Sequence, residues 1–466
     1  MKKSILSIAF ASTLAFGAIG TPAVLAKPVS VSQTQQVKYF DNKVINLINV
    51  ENIYNNIAYL SKVPRVAGTP AEDNAVQFVK AQFESYGYEV KLQPFTYYGY
   101  TPPTKMELTV NGFDGTLQPA SFTYTVSGNV TGELVYAGLG KPEDLAGKDL
   151  SGKIALIKRG DISFADKVLN AAAAGADGVI IFNNTSGAVN GTLGAANDNY
   201  VPAVALTQAE GEALLAKLNA GQTFTATLNI EGARTGESTS HNVIATKKPT
   251  NQKKATNDII VVGAHHDSVS GAPGANDDAS GTAMTLELAR VLKDLPTDTE
   301  IRFVTFGAEE LGLLGSYHFV STLSDDEINR TIANFNLDMV GSRDAGDLVL
   351  TTLDGKANLV TDLARASSER LNGEPLPVYE GGRSDHVPFA EVGIPAALFI
   401  HSPSEPWYHT PEDSIDKISK EKLQDVAEIV GTAVYDVARF DNQGPKPKKS
   451  AKGKASPEQI HEQAIK

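Results

Sequence analysis

The chain has 466 residues, of which 42% are hydrophobic and 20% charged, so it carries enough apolar surface for a large core and is not a disordered chain. A net charge of −13 argues against nucleic-acid binding, which needs clustered Lys and Arg against phosphate. There is no cysteine. That excludes disulfides, thiolate nucleophiles, Cys-held zinc and iron–sulfur clusters, and leaves catalysis to oxygen and nitrogen groups or to a metal held by them.

Lys2 and Lys3 precede an apolar run from Ile5 to Ile19, and Val24-Leu25-Ala26 then offers small residues before Lys27. The run is shorter than the roughly 20 residues of a membrane span and is interrupted by Ser, Thr and Gly. Residues 1–26 therefore read as a secretory signal peptide cleaved after Ala26. Losing Lys2 and Lys3 takes the charge from −13 to −15. No later stretch of the sequence is apolar enough to cross a bilayer, so a secreted, extracellular protein without stable membrane insertion is expected. From Lys38 to Tyr86 the pattern is helical, with the turn-rich segment Pro64–Pro70 inside it, and Tyr88 to Phe95 alternates like a strand.

Residues 113–235 change texture. They are rich in Gly, Ala and Val, and Arg159 is their only arginine before Arg234. Strands are expected at Gly152–Ile157, Gly178–Phe182 and Val201–Leu206, and helices at Ala165–Gly175 and Gln208–Leu218. This block has no His and no phosphate loop, and reads as a structural or substrate-guiding module. From His241 onward strand-like runs (242–246, 259–264, 301–306, 332–336 and 396–399) alternate with helical ones such as 280–292 and 420–438. That alternation predicts a layered α/β sheet, whose ligands gather at the carboxyl ends of its strands. The basic, low-complexity segment 442–466 reads as a solvated tail.

The candidate chemistry lies at those strand ends. Ile259–Ala264 runs into His265-His266-Asp267, followed by Asn276-Asp277-Asp278. Ile301–Phe306 leads to Glu309-Glu310, Ile332–Asn336 to Asp338, and a later loop carries Tyr408-His409. Each fragment alone is weak, since a Glu-Glu pair opening a helix usually complements its dipole. Together they would set two histidines and several carboxylates in one cleft, where they repel unless a cation neutralises them. Imidazole and carboxylate ligands without thiolate suit zinc. A two-metal hydrolytic site needs one bridging carboxylate, terminal ligands for each ion and a separate base. Two His, Asp277, Asp338 and one Glu complete such a set and leave one Glu free. Glu309 and Glu310 can divide the roles because neighbours at a strand end point in different directions. Asp267 suits a partner for the His265 N–H.

At these residues the sequence resembles the bacterial secreted double-zinc aminopeptidase family. His-x-Asp, Asn-Asp, Glu-Glu, Leu-Asp-Met and Tyr-His-Thr occur in the family's order, and Arg65–Pro70 also matches. The resemblance implies a three-layer α/β sandwich with a central mixed, largely parallel sheet and two Zn2+ per chain. His265 and Asp338 would hold one ion, Glu310 and His409 the other, with Asp277 bridging. Glu309 would be the general base, Asp267 would orient His265, and Tyr408 would stabilise the tetrahedral intermediate. A cis peptide is implied at Asp277-Asp278. Residues 149–160 and 171–178 resemble a protease-associated domain. The implied organisation is a catalytic unit of 38–112 plus 236–441, interrupted by a β-rich insert at 113–235. Substrates would be peptide and protein N-termini, and the protein a monomer that binds no nucleic acid.

Arg383 and Asp385 are candidate substrate-pocket residues, or simply hold their loop. His266 is expected to face away from the cluster. His401 is a weaker candidate still, and His241, His318 and His461 read as ordinary. Trp407 would either wall the pocket or belong to the core. The alternative activities are a carboxypeptidase, for which only Arg383 would meet a substrate carboxylate, and a glutaminyl cyclase, which would bind one metal. A binding protein on a retired peptidase scaffold would have lost ligands or base, and none is missing.

Overall fold

The computed structural model describes residues 31–440 except 188 and 190, so the leader read over 1–26 and the tail read over 442–466 lie outside the described residues. Among the described residues the main sheet has eight strands: β1 (Val90–Thr101), β2 (Arg234–Lys247), β3 (Ile259–His265), β4 (Glu300–Phe306), β5 (Thr331–Leu337), β6 (Asp347–Thr352), β7 (Val378–Glu380) and β8 (Ala396–Ser402). Their spatial order is β1-β2-β4-β3-β5-β8-β6-β7. The central strands β4, β3, β5 and β8 are parallel, while β1, β2 and β6 run antiparallel to their inner neighbours. The short β6 and β7 carry too little alternation to be read from sequence. Residue pairs His265↔Phe306, Gly263↔Asn336 and Asn336↔Leu398 bring the carboxyl ends of the four parallel strands level with one another.

Both faces of this sheet are covered, because alternate side chains of a strand point to opposite sides. Ile260, Val262, Phe303 and Phe335 pack on one side against the helices Val50–Leu60, Pro70–Ser85, Ala279–Leu292 and Lys420–Ala438. Ile259, Val261, Val304 and Phe306 pack on the other side with Phe319, Leu323 and Phe389. The helix Ala279–Leu292 is small or apolar nearly all round and is buried accordingly, apart from Arg290. The expected three-layer α/β architecture is therefore present.

A second eight-stranded mixed sheet is built from residues 105–231. Its strands at Lys153–Lys158, Gly178–Phe182 and Ala203–Leu206 are parallel neighbours, with helices at Phe164–Ala173 and Gln208–Asn219. The expected boundary after residue 112 needs correction: Lys105–Asn111 pairs with Thr225–Glu231 and so belongs to the second sheet. The chain leaves the main sheet at the end of β1 and returns through β2, whose Arg234 pairs with Thr101. One long antiparallel ribbon thus carries the insert.

Phe335 is fully buried on the central strand and stacks on Phe399 with ring centroids 6.0 Å apart. Phe335→Ala removes that contact and leaves a cavity, which should cost about 3–5 kcal/mol in urea unfolding.

Candidate metal centre

His265 closes β3 with its side chain only 1% exposed. Its Nε2 lies 3.2 Å from Asp277 Oδ1, 3.7 Å from Asp338 Oδ1 and 3.9 Å from Glu309 Oε2. The second oxygen of Asp277 lies 3.1 Å from His409 Nε2, which is also 3.1 Å from Glu310 Oε2. One carboxylate therefore faces two imidazoles, one on either side. Asp267 approaches His265 Nδ1 at 3.5 Å and accepts the backbone N–H of Glu309 at 3.1 Å and of Glu310 at 3.3 Å. Glu309 and Glu310 diverge within a short 3-10 turn, Glu309–Leu311, that follows Ala308 in a left-handed conformation, and not on an extended strand end. The cluster opens into a cavity of about 580 Å³ whose walls include Asp277, Glu309, Glu310, Asp338, Arg383, Tyr408 and His409.

Four hydrogen-bonding side chains brace this arrangement: Asp278, Asn276, Asp413 and Ser384. The peptide bond between Asp277 and Asp278 is cis. Asp278 Oδ1 accepts the N–H of Gly281 at 2.8 Å and of Met339 at 3.2 Å, and Oδ2 accepts the N–H of His265 at 3.3 Å. It ties β3, the loop after β5 and the start of the helix Ala279–Leu292 together. One of its oxygens lies within 4.8 Å of ligand atoms of His265 and Asp338, and both oxygens already accept backbone N–H groups. Gly281 permits the close approach, since a Cβ there would lie 2.1 Å from Leu337 O. Asn276 accepts the N–H of Gly341 at 2.8 Å and of Ser342 at 2.9 Å, and donates to Glu405 at 2.8 Å. Asp413 accepts the N–H of Asn276 at 2.8 Å and of Asp277 at 3.0 Å. Ser384 donates to Asp338 Oδ2 at 2.8 Å.

Charge follows from burial. Burial pushes Glu309 up, with Asp385, Asp338 and Glu310 adding to the rise against the opposing pull of His265. Burial and Asp277 push Glu310 up to about 7. Burial would lower His265, but Glu309, Asp267, Asp277 and Asp338 outweigh it and raise its pKa. Burial would likewise lower His409, but Asp277 and Glu310 push it up to about 10. Asp277 is held down by the two histidines despite its burial. Protons thus stand in where the donor set suits a cation. Glu310 Oε1 and Asp338 Oδ1 are buried without a hydrogen-bond partner. Two imidazole nitrogens with carboxylate oxygens fit zinc chemistry.

A model of peptidase family M28 matches residues 242–434. The chain is 41% identical to the aminopeptidase YwaD of Bacillus subtilis over 97% of its own length and 98% of that protein. It belongs to peptidase family M28. Among solved M28-like structures, an aminopeptidase from Aneurinibacillus sp. strain AM-1 is 57% identical, with a TM-score of 0.60 over 88% of this chain and 98% of that one. The zinc aminopeptidase BSAP from Bacillus subtilis is 41% identical, with a TM-score of 0.64 over 87% and 98%. A protease-associated domain model matches residues 130–214, inside the second sheet of this M28 chain.

The other candidates sort by position. Tyr408 is half-exposed on the cavity wall, with its ring stacked 3.8 Å from His409. Burial and the surrounding carboxylates raise its hydroxyl pKa. Arg383 stands on the exposed cavity rim. Asp385, weighed as a pocket residue or as a support of its loop, is fully buried and not among the cavity-lining residues, and burial pushes it up to about 7. His266 faces away, with Nδ1 3.0 Å from Thr305 Oγ1. His401 is buried outside the ligand cluster, and burial takes it down to about 4. His241 and His318 also lie outside that cluster, and His461 is outside the described residues. Trp407 neither walls the cavity nor joins the core; its Nε1 donates to Asp344 at 2.9 Å. The sequence reading missed Asp413, Glu405, Asn276 and Ser384 as supports. Their partners lie far along the chain, so only the Asn276-Asp277-Asp278 run carried a local signal.

Acids with a raised folded pKa favour folding while protonated, and that advantage is lost as pH rises through the folded value. Glu310 and Asp385, both at about 7, behave so. His409 has the same sign, with its contribution fading between its ordinary value and about 10. Asp277 acts in the opposite sense only below the ordinary carboxylate range. The thermal midpoint of metal-free protein should therefore fall between about pH 5 and pH 8. Added zinc should raise it most at the upper end, where protons compete least. Calorimetry with and without chelator checks both.

Proposed function

We propose that the protein is an exported di-zinc aminopeptidase that removes the N-terminal residue from peptides. The observation that carries this reading is the Asp277 carboxylate, whose two oxygens lie 3.2 Å and 3.1 Å from the imidazoles of His265 and His409. His265 and Asp338 would hold one ion, Glu310 and His409 the other, and Asp277 both. Zinc so held supplies Lewis acidity toward the scissile carbonyl and lowers the pKa of a nearby water. Glu309 accepts the proton of the attacking water and delivers it to the leaving amine. Asp267 keeps His265 in orientation, and Tyr408 is a hydroxyl donor to the developing oxyanion. The cavity has four carboxylates, Asp277, Glu309, Glu310 and Asp338, against one rim cation, Arg383. The bound ions would neutralise these carboxylates, which leaves Arg383 as the one charged lining side chain that could meet a substrate α-carboxylate; its place on the exposed rim favours an aminopeptidase over a carboxypeptidase. The names of these relatives support the same activity, and that of BSAP, a zinc aminopeptidase, the same metal.

Leucine p-nitroanilide should be cleaved and its N-acetylated form should not. Equal turnover of both would remove the case for recognition of the α-ammonium. Glu309→Gln should retain its zinc and lose about 10²–10⁴-fold in kcat. Export rests on the leader read at residues 1–26. Protein recovered outside the producing cell should begin at Lys27, which N-terminal sequencing checks.

A further inference from the structure

The two halves of the centre are braced by different carboxylates. The His265 half depends on Asp278, which accepts the backbone N–H of His265 and of Met339, next to Asp338. The His409 half has another support. Asp413 is 1% exposed, and its carboxylate accepts the N–H of Asn276 at 2.8 Å and of Asp277 at 3.0 Å. Its carbonyl accepts the N–H of Ala275 at 3.2 Å. Asp413 thereby grips three consecutive residues of the segment that presents Asp277. It is also joined to His409 by a short series of turns: the N–H of Asp413 donates to Thr410 O at 3.1 Å, and the N–H of Thr410 to Trp407 O at 3.0 Å. Thr410 Oγ1 donates to Trp407 O at 2.7 Å. His409 itself sits in the left-handed region at φ 58°. Its side chain is 35% exposed, so packing alone holds it less firmly than His265 at 1%.

We propose that Asp413 is a positioning residue that fixes the distance between Asp277 and His409, and so sets the affinity of the Glu310–His409 half more strongly than that of the His265–Asp338 half, which shares Asp277 but not the His409 loop. This rests on the two-ion reading above. The argument is one of reach: an imidazole on a partly exposed loop offers a dear or a cheap ligand according to how much loop freedom binding must remove. Here the loop is attached in advance to the backbone of the shared carboxylate.

The test titrates metal-free protein with Co2+, following visible absorption, and measures zinc content after dialysis against a weak chelator. Asp413→Asn keeps the shape but turns an N–H toward a backbone N–H. In this variant the first equivalent should weaken much less than the second. The second should weaken by about 10- to 100-fold, the range for residues that orient ligands, and zinc should fall from two ions to one. Two equivalents bound with unchanged affinity and spectrum, or equal weakening of both, overturn the proposal while leaving the two-ion reading intact. Unaltered protein that takes up only one ion overturns that reading and the proposal with it. Thr410→Val retains Asp413 and removes two bonds of the same turn, from Oγ1 to Trp407 O and from Glu412 N–H to Oγ1, so it decides the matter if Asp413→Asn does not fold. Weakening confined to the second equivalent supports the proposal, and unchanged binding overturns it.

Discussion

Asp277 can face two imidazoles because the backbone on both sides of it is held by other carboxylates. Asp278 accepts three backbone N–H groups from three separate segments, and Asp413 accepts two more from the Asp277 segment itself. A buried hydrogen bond of this kind contributes about 0.5–1.5 kcal/mol, and losing its acceptor leaves a buried donor unsatisfied. The ligands stand on the carboxyl ends of strands, but their mutual distances come from these ties across the strand ends.

Arg65 completes the support from beneath. Its guanidinium is fully buried and donates to the carbonyls of Leu60, His266, Pro273 and Gly274 at 2.6–3.1 Å. Burial lowers its pKa while Asp267, Asp278, Asp413 and Asp277 work to raise it. A permanent cation thus faces the acidic cluster from the protein side, and the cavity leaves the other side open. Burying carboxylates together is costly unless opposite charge lies near. The first helices of the chain therefore bear on the centre: they deliver Arg65, and also Glu72, which accepts the N–H of Gly68 at 2.7 Å and hydrogen-bonds Ser240 of β2.

Much of this was legible beforehand. The apolar runs at 259–264, 301–306 and 332–336 announce parallel strands buried on both faces, and the charged residues beyond their ends announce a site. The insert was legible through its change of composition, but its first boundary was not. Lys105–Asn111 alternates strictly between exposed polar and inward apolar residues, which marks a strand without saying of which sheet, and only its pairing with Thr225–Glu231 assigns it to the second one. Trp407 was misjudged, and Asp385 left between two readings, for a related reason. Whether a side chain walls a cavity, lies behind it or braces a surface loop depends on the path of the loop, which local pattern does not specify.

By itself the sequence determined the chemistry on offer: no thiolate, a set of His and carboxylate groups in M28 order, and an α/β frame whose periodicity puts them at one end of a sheet. Tertiary structure alone decided the division of labour. Asp277 and Asp278 are adjacent and identical, yet one carboxylate faces two histidines while the other is consumed by backbone N–H groups of His265, Gly281 and Met339. Asp413 reaches the same segment from 136 residues away. The physical reason is that a carboxylate's role is set by which donors surround it, and here most of those donors arrive from distant parts of the chain.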